Sequence, residues 1–428
     1  MVDKTTLKIV ERLAPFAGRI AANPLNLLVD MGKATGDAAA RQRRALDLLH
    51  KEAEPDLMPG NEAWLLHANH SPVPFDFRDA EMADFKEWFF DTDGNRFLKW
   101  RLVTGGSGRG KTRFAREFIR SLKHEMGDHL IGGFVDTTAV SARPDDLSGF
   151  LDVRGDVLMI VDYAERFHDA VALLLHATLA MEQKLKPGFE RRIRVILISR
   201  SSTEVWDRMG SRYPQIALFR ARLNGGLEIC PLAPLAETRE ERNIAFTAAY
   251  EAFDAYFTTH WTDIHSRPMP HPLPDLSDDA FKDVLLIHLA ALAIWHDGAQ
   301  VGDVSRDNLL GWLLSRERNA WDRLLDDRGL DATLQGPPIE QVATLLTYVS
   351  LGGEGISGRS RAVELLKACP LMDGLPNPTL SAIADIFREL YPGPAWVNGV
   401  TPDLVGQYLL RVAEDEFLDE FDGDLDEA

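Results

Sequence analysis

The run Gly105-Gly106-Ser107-Gly108-Arg109-Gly110-Lys111-Thr112 limits the folds open to this chain more than any other stretch. It satisfies G-x-x-x-x-G-K-[ST]. In such a loop the glycines let backbone N–H groups curl inward on phosphates, the lysine reaches the β- and γ-phosphates, and the hydroxyl of the last residue sits on Mg²⁺. The flanks agree with that reading. Lys99–Thr104 reads as a strand entering the loop, and Thr112–Met126 as a helix with Phe114, Phe118, Ile119 and Leu122 at helical spacing. Strand, loop and helix together put the anion at a helix N-terminus, where the dipole and the orphan N–H groups both favour negative charge.

More short apolar runs recur at Leu130–Asp136, Val157–Asp162, Arg194–Ser199 and Leu227–Cys230. With the helical stretches between them they predict an α/β fold: a five-stranded parallel sheet of the ASCE type of P-loop NTPases, covered on both faces. After Pro234 the pattern turns helical. Thr238-Arg239-Glu240-Glu241 is a capping box opening a helix to about Phe257. Pro268, Pro270, Pro272 and Pro274 mark a stiff linker, and helices are expected over Ser277–His296 and Asn308–Leu325. From Ile339 on, helices alternate with turns such as Gly352-Gly353-Glu354-Gly355, as in a small winged-helix-like module.

The expected organisation is therefore a helical segment at 1–60, with an apolar stripe through Leu7, Val10, Leu13 and Ile20 and a second helix over Asp37–Glu52. A P-loop domain at 61–235, a helical lid at 236–335, a winged-helix-like part at 336–412 and an acidic disordered tail at 413–428 follow. The tail is expected because Glu414–Glu427 holds nine acids and no base. With a net charge of −19, sequence-independent adhesion to nucleic acid is disfavoured. Cys230 and Cys369 form no disulfide or zinc pattern, which suits a reducing cytoplasm. No apolar run approaches the roughly 20 residues of a transmembrane helix.

A phosphate loop needs a carboxylate for its metal. The run Val157–Val161 ending in Asp162 supplies one about 50 residues downstream, although strands ending in Asp are common. Glu165 is either the group that orients or deprotonates water, or a surface glutamate. Arg200, at the end of the next strand, is either a γ-phosphate sensor or a solvated cap, with Ser201 and Ser202 beside it. Pro231-Leu232-Ala233-Pro234-Leu235 is a rigid apolar corner, able to pack on an adenine face or to act as a hinge. The expected ligands are thus ATP or ADP with Mg²⁺. Lys111, Asp162, Glu165 and Arg200 do the chemistry, Gly105–Thr112 and Pro231 hold the nucleotide, and Thr112 and Asp162 take the metal.

These pieces resemble the signal-transduction ATPases with numerous domains, the STAND NTPases, in their bacterial NACHT/NB-ARC-like branch. Pro74-Phe75-Asp76-Phe77-Arg78-Asp79-Ala80-Glu81 resembles the family's F-x-G-R-E-x-E stretch, with Phe77 and Asp79 in place of its glycine and glutamate. Val161–Glu165 and Leu197–Ser201 are similar to its metal-binding and sensor segments, Leu313–Glu317 with Trp321 to its helical part, and Trp396 with Pro402–Gly406 to the end of its winged helix. No clear Met-His-Asp signature is present, and Asp403 is a weak stand-in. The resemblance implies a switch: ADP holds a closed state, ATP exchange drives self-association, and slow hydrolysis acts as a timer. A separate effector or sensor protein and a role in antiphage conflict signalling are further implications. Moving such a switch from 1:99 to 99:1 takes about 5.5 kcal/mol of differential binding. Two other readings fit the motifs, an AAA+-like ATPase acting on DNA through the winged helix and a scaffold that binds nucleotide without hydrolysing it.

Overall fold

The computed structural model describes residues 38–49, 62–68, 70–91, 97–184, 191–201, 227–261, 264–298, 304–330, 332–352, 356, 358–391 and 395–426. The stripe from Leu7 to Ile20, the ends of the expected Asp37–Glu52 helix, Ser202 and Gly353–Gly355 lie outside them. Two compact units emerge, one of Gly36–Arg316 with Pro402–Leu404, the other of Glu317–Thr401 with the chain from Val405.

The larger unit opens with α1 (Ala38–Leu46) and α2 (Asp79–Phe90) and continues through β1 (Leu98–Thr104), α3 (Lys111–Met126), β2 (Leu130–Phe134), α4 (Thr137–Ala142) and β3 (Asp156–Val161). Next come α5 (His168–Lys184), β4 (Ile193–Ser199), β5 (Leu227–Pro231), α6 (Arg239–His260) and α7 (Val284–Asp297). The five strands are all parallel in the order β2-β3-β4-β1-β5. One strand, β4, separates β1, which feeds the phosphate loop, from β3, which ends at the acidic residue. This order is that of an ASCE-type P-loop NTPase sheet, as the sequence predicts.

Every residue of β1, β3 and β4 is buried, so their apolar runs need no alternation. The charged residues within them are paired. Arg101 reaches Asp84 at 2.7 Å and Glu228 at 2.8 Å, with its guanidinium 4.5 Å from the Phe85 ring centre. Arg194, fully buried, donates to the carbonyls of Phe89, Phe97 and Asp91. Unpaired, each would carry a large desolvation cost. Phe114, Phe118, Ile119 and Leu122 of α3 bury against Phe85 and Phe89 of α2 and against the sheet, which fixes the helix that begins at the phosphate loop. At about 25 cal/mol per Å² of apolar area, this aromatic layer is a principal stabiliser of the loop's platform.

The predicted capping box is present: Thr238 N donates to Glu241 at 2.8 Å and Glu241 N to the Thr238 hydroxyl at 3.2 Å. Arg242, 3% exposed, donates to the carbonyls of Ala236 and Leu276 and so ties the chain entering α6 to the end of the Pro-rich connection. The helix expected from Ser277 starts instead at Val284. Asp278 caps a separate 3₁₀ turn, Asp279–Lys282, by accepting from Ala280 N.

Helix α8 (Arg306–Asp327) leads into α9 (Pro337–Gly352), α10 (Arg359–Leu366) and α11 (Asn377–Leu390). Among the described residues of the smaller unit one antiparallel bridge joins Ile356 to Val397. The order helix, bridge, helix, helix, bridge is that of a winged-helix-like domain. Its core includes Trp321, Glu317 and Tyr391, all buried. Trp321 Nε1 donates to the Tyr391 hydroxyl at 2.7 Å, and that hydroxyl donates to Glu317. Helix α12 (Asp403–Asp426) runs through most of the expected disordered tail. The physical reason is legible: Phe417, Leu418, Phe421 and Leu425 interleave with the acids at helical spacing.

Candidate functional site

The phosphate loop joins the end of β1 to the start of α3. Gly105, Gly108 and Gly110 have φ of +154°, +83° and +81°, a backbone that only glycine adopts without strain. At Gly108 a Cβ would also come within 2.8 Å of Leu404 Cδ1. Gly106, Ser107 and Arg109 complete the curl. Lys111 Nζ lies inside it, donating to Gly105 O and Gly106 O at 2.8 Å each. Burial lowers the Lys111 pKa, opposed by the nearby carboxylates of Asp162, Glu165 and Asp403. An ammonium held by two loop carbonyls is ready to exchange them for phosphate oxygens.

Asp162 follows the last residue of β3, and the structure places it against the loop. Thr112 Oγ1 donates to Asp162 Oδ2 at 2.8 Å, and Tyr163 N donates to Oδ1 at 2.9 Å. Burial raises the Asp162 carboxyl to about 6, partly offset by the Thr112 bond. A hydroxyl beside a half-buried carboxylate that lacks a full countercharge is a hard-oxygen donor set, and it fits Mg²⁺. Thr112 and Asp162 would hold that ion, which when bound supplies charge neutralisation to the phosphates.

Residues 162–166 form one tight turn that carries three charged groups. Glu165 is 1% exposed: Oε1 accepts from Arg200 Nε at 3.0 Å, and Oε2 is buried with no partner. The two residues the sequence put forward as base and sensor are therefore in contact. Ser201 N donates to Ser199 Oγ at 3.3 Å, shaping the strand end that carries Arg200. Pro231 ends β5 opposite Thr104 and is exposed; Leu232 N donates to Thr104 O at 2.7 Å, setting the apolar corner beside the loop.

Several contacts carry weaker sequence signals. Arg109 Nε pairs with Asp283 Oδ1 at 2.5 Å, and Leu285 N donates to Gly108 O at 3.2 Å, so the start of α7 is bonded to the phosphate loop. Arg78, 3% exposed, donates to Ala233 O at 2.8 Å and Arg109 O at 3.4 Å, joining the segment before α2 to both corner and loop. Arg166 pairs with Asp403 at 3.0 Å. Phe77, standing where the STAND motif has glycine, keeps a glycine-like φ of +65°. That position was the available signal; nothing local marks Asp283 or Arg166.

The sheet order, the loop and the acid after β3 define a P-loop NTPase of the ASCE type. No protein-family model matches the chain, and no curated protein matches it. Similar solved structures include the Aeropyrum pernix ORC1 protein in complex with DNA (TM-score 0.37, 16% identity, covering 85% of this chain and 100% of that one). The Aeropyrum pernix ORC2 protein in ADPNP-ADP complexes follows (TM-score 0.36, 12% identity, 89% and 98%). Drosophila ORC bound to DNA is also similar (TM-score 0.30, 12% identity, 87% and 98%). Among the described residues no helix is long and apolar enough to cross a membrane.

Proposed function

We propose that the chain is a Mg²⁺-dependent ATPase of low turnover that works as a nucleotide-controlled switch. The observation that carries the reading is Glu165, buried, with one oxygen on Arg200 and the other without a partner, on the turn that begins at Asp162. A buried carboxylate left half-satisfied is costly, and such groups cluster at reactive sites. Lys111 leaves its loop carbonyls for the phosphates, and Asp162 and Thr112 would hold the ion. Glu165 Oε2 accepts a proton from, or orients, the attacking water. Arg200, released from Glu165, offers its charge to the phosphoryl group in flight. Because Arg200 occupies Glu165 before that, hydrolysis waits on the break of this pair, which gives a slow timer.

The helical lid at 236–335 belongs to the same reading, since Asp283 and Leu285 bond the phosphate loop and would register its contents. Glu165→Gln in the full chain is the test. Single-turnover ATP hydrolysis should fall about 100-fold or more while ATP affinity stays within about threefold. Unchanged hydrolysis would make Glu165 structural and favour the non-hydrolysing scaffold. Self-association is checked by the mass of the protein with ADP and with a non-hydrolysable ATP analogue; a monomer in both would remove the oligomeric form of the switch.

A second, finer reading is an AAA+-like ATPase that acts on DNA. It is supported by the winged-helix order around α9–α11. Against DNA binding, Arg359 pairs with Asp385, Arg361 pairs with Glu364, and the exposed end of α11 carries Glu389 beside Arg388. Binding of a short duplex that weakens steeply between 50 and 200 mM salt would promote this reading.

A further inference from the structure

We propose that Asp403 is a positioning residue of the hydrolytic site, setting Asp162 and Glu165 through Arg166 and Tyr163. The inference rests on the ATPase reading above. Among the described residues only Phe77 and Tyr163 are non-glycine residues with positive φ, and Tyr163, at +53°, lies between Asp162 and Glu165. A tyrosine stays in that conformation only where its surroundings over-determine it.

Ala164 N donates to Ile198 O at 2.8 Å, and Arg166 N to Tyr163 O at 2.7 Å, closing the turn on β4. The Arg166 guanidinium stands 4.2 Å from the Tyr163 ring centre and donates to Asp403 Oδ2 at 3.0 Å. The Tyr163 hydroxyl faces the same carboxylate. Both side chains of the Arg166–Asp403 pair are 10% exposed, so water does not substitute for either partner. Asp403 lies 237 residues from Arg166, in the short segment Pro402–Leu404 of the larger unit. In that segment Leu404 also abuts Gly108. One three-residue segment thus touches the phosphate loop and the reactive turn together.

Without Asp403, Arg166 loses its countercharge and the clamp on Tyr163 opens. The backbone then relaxes to negative φ, re-aiming Asp162 and Glu165. The test is Asp403→Asn in the full chain, read by kcat for ATP, by ATP affinity, and by Mn²⁺ affinity of the nucleotide-bound protein from electron paramagnetic resonance. The expected result is a kcat lower by about tenfold and Mn²⁺ affinity lower by several-fold, with ATP affinity within about threefold. Asparagine tolerates the left-handed backbone, so adding Tyr163→Asn should recover the Mn²⁺ affinity and most of kcat. An unchanged or raised kcat together with unchanged Mn²⁺ affinity would overturn the proposal, as would a double variant no better than Asp403→Asn. If the wild-type chain does not hydrolyse ATP, the ATPase reading falls, and Mn²⁺ affinity alone still decides this inference. Should Asp403→Asn fail to fold, Arg166→Lys keeps the charge but loses the planar contact with Tyr163 and must show the same split.

Discussion

The phosphate loop and the turn after β3 face each other across the site and make the same demand on the backbone, a left-handed residue beside a charged group. The loop meets it with Gly105, Gly108 and Gly110. The turn meets it with Tyr163, held by Arg166 and, through it, by Asp403. The loop's shape is therefore written in eight consecutive residues, whereas the turn's shape depends on a side chain far along the chain. The loop should keep its shape when its ligand or its lysine is removed; the turn should respond to distant change.

Lys111→Ala tests the loop most severely. Among the described residues the side-chain hydrogen bonds of Lys111 go to the carbonyls of Gly105 and Gly106, whose curl is set by glycine φ values, so the loop does not require the lysine for its shape. ATP affinity by calorimetry should fall about 100-fold, the scale of losing one partner of an enclosed charge-assisted contact, with little change in melting temperature. Melting lowered in step with affinity would mean that the lysine shapes the loop, and the contrast with the turn would lapse.

Asp162→Asn tests the turn, with a smaller effect on ATP and a distinctive pH signature. Here the Mg²⁺ dependence of ATP binding should weaken by about tenfold, since the carboxylate proposed for the metal is gone. Burial raises the Asp162 carboxyl from 3.8 to about 6, so between those pH values the folded chain binds more protons than the unfolded one. Its contribution to stability therefore falls as pH rises through that window, and above it the full cost remains. By about 1.36 kcal/mol per pKa unit that cost is at most about 3 kcal/mol. The variant without nucleotide or metal should melt higher than wild type at pH 7, with the gap closing towards pH 4. A gap that is constant with pH would show that Asp162 is not held in this way.

The sheet was legible because its strands are continuous apolar runs and its loop is a local motif. All five strands fall where the apolar runs lie, and α3 buries Phe114, Phe118, Ile119 and Leu122 as their spacing predicts. Asp162 was legible for the same reason, as an acid ending such a run. The pairing of Glu165 with Arg200 was not, because two adjacent parallel strands bring them together and neither residue carries a local mark of the other. Arg109 with Asp283 and Arg166 with Asp403 were hidden for the same reason, with separations of 174 and 237 residues. The helical course of Asp403–Asp426 is obscured in the sequence by its net charge, although apolar residues recur there at helical spacing.

The smallest expected effect sharpens the comparison most directly. Phe77 and Tyr163 have nearly the same strained φ, +65° and +53°, in different surroundings. Phe77 is 44% exposed, while Tyr163 has Arg166 over its ring. Replacing Phe77 by glycine relieves about 1–2 kcal/mol of left-handed strain and concedes about 0.5–1 kcal/mol of unfolded-state entropy, so stability should rise by several tenths of a kcal/mol. Tyr163→Gly gains the same relief but loses the ring beneath Arg166 and the hydroxyl facing Asp403, and stability should fall by about 1 kcal/mol or more. Chemical denaturation of the two single variants reads the difference. Opposite signs would mean that the turn is held by its ties; if both variants were stabilised, Tyr163 would be strained without compensation, and the turn would be as locally determined as the loop.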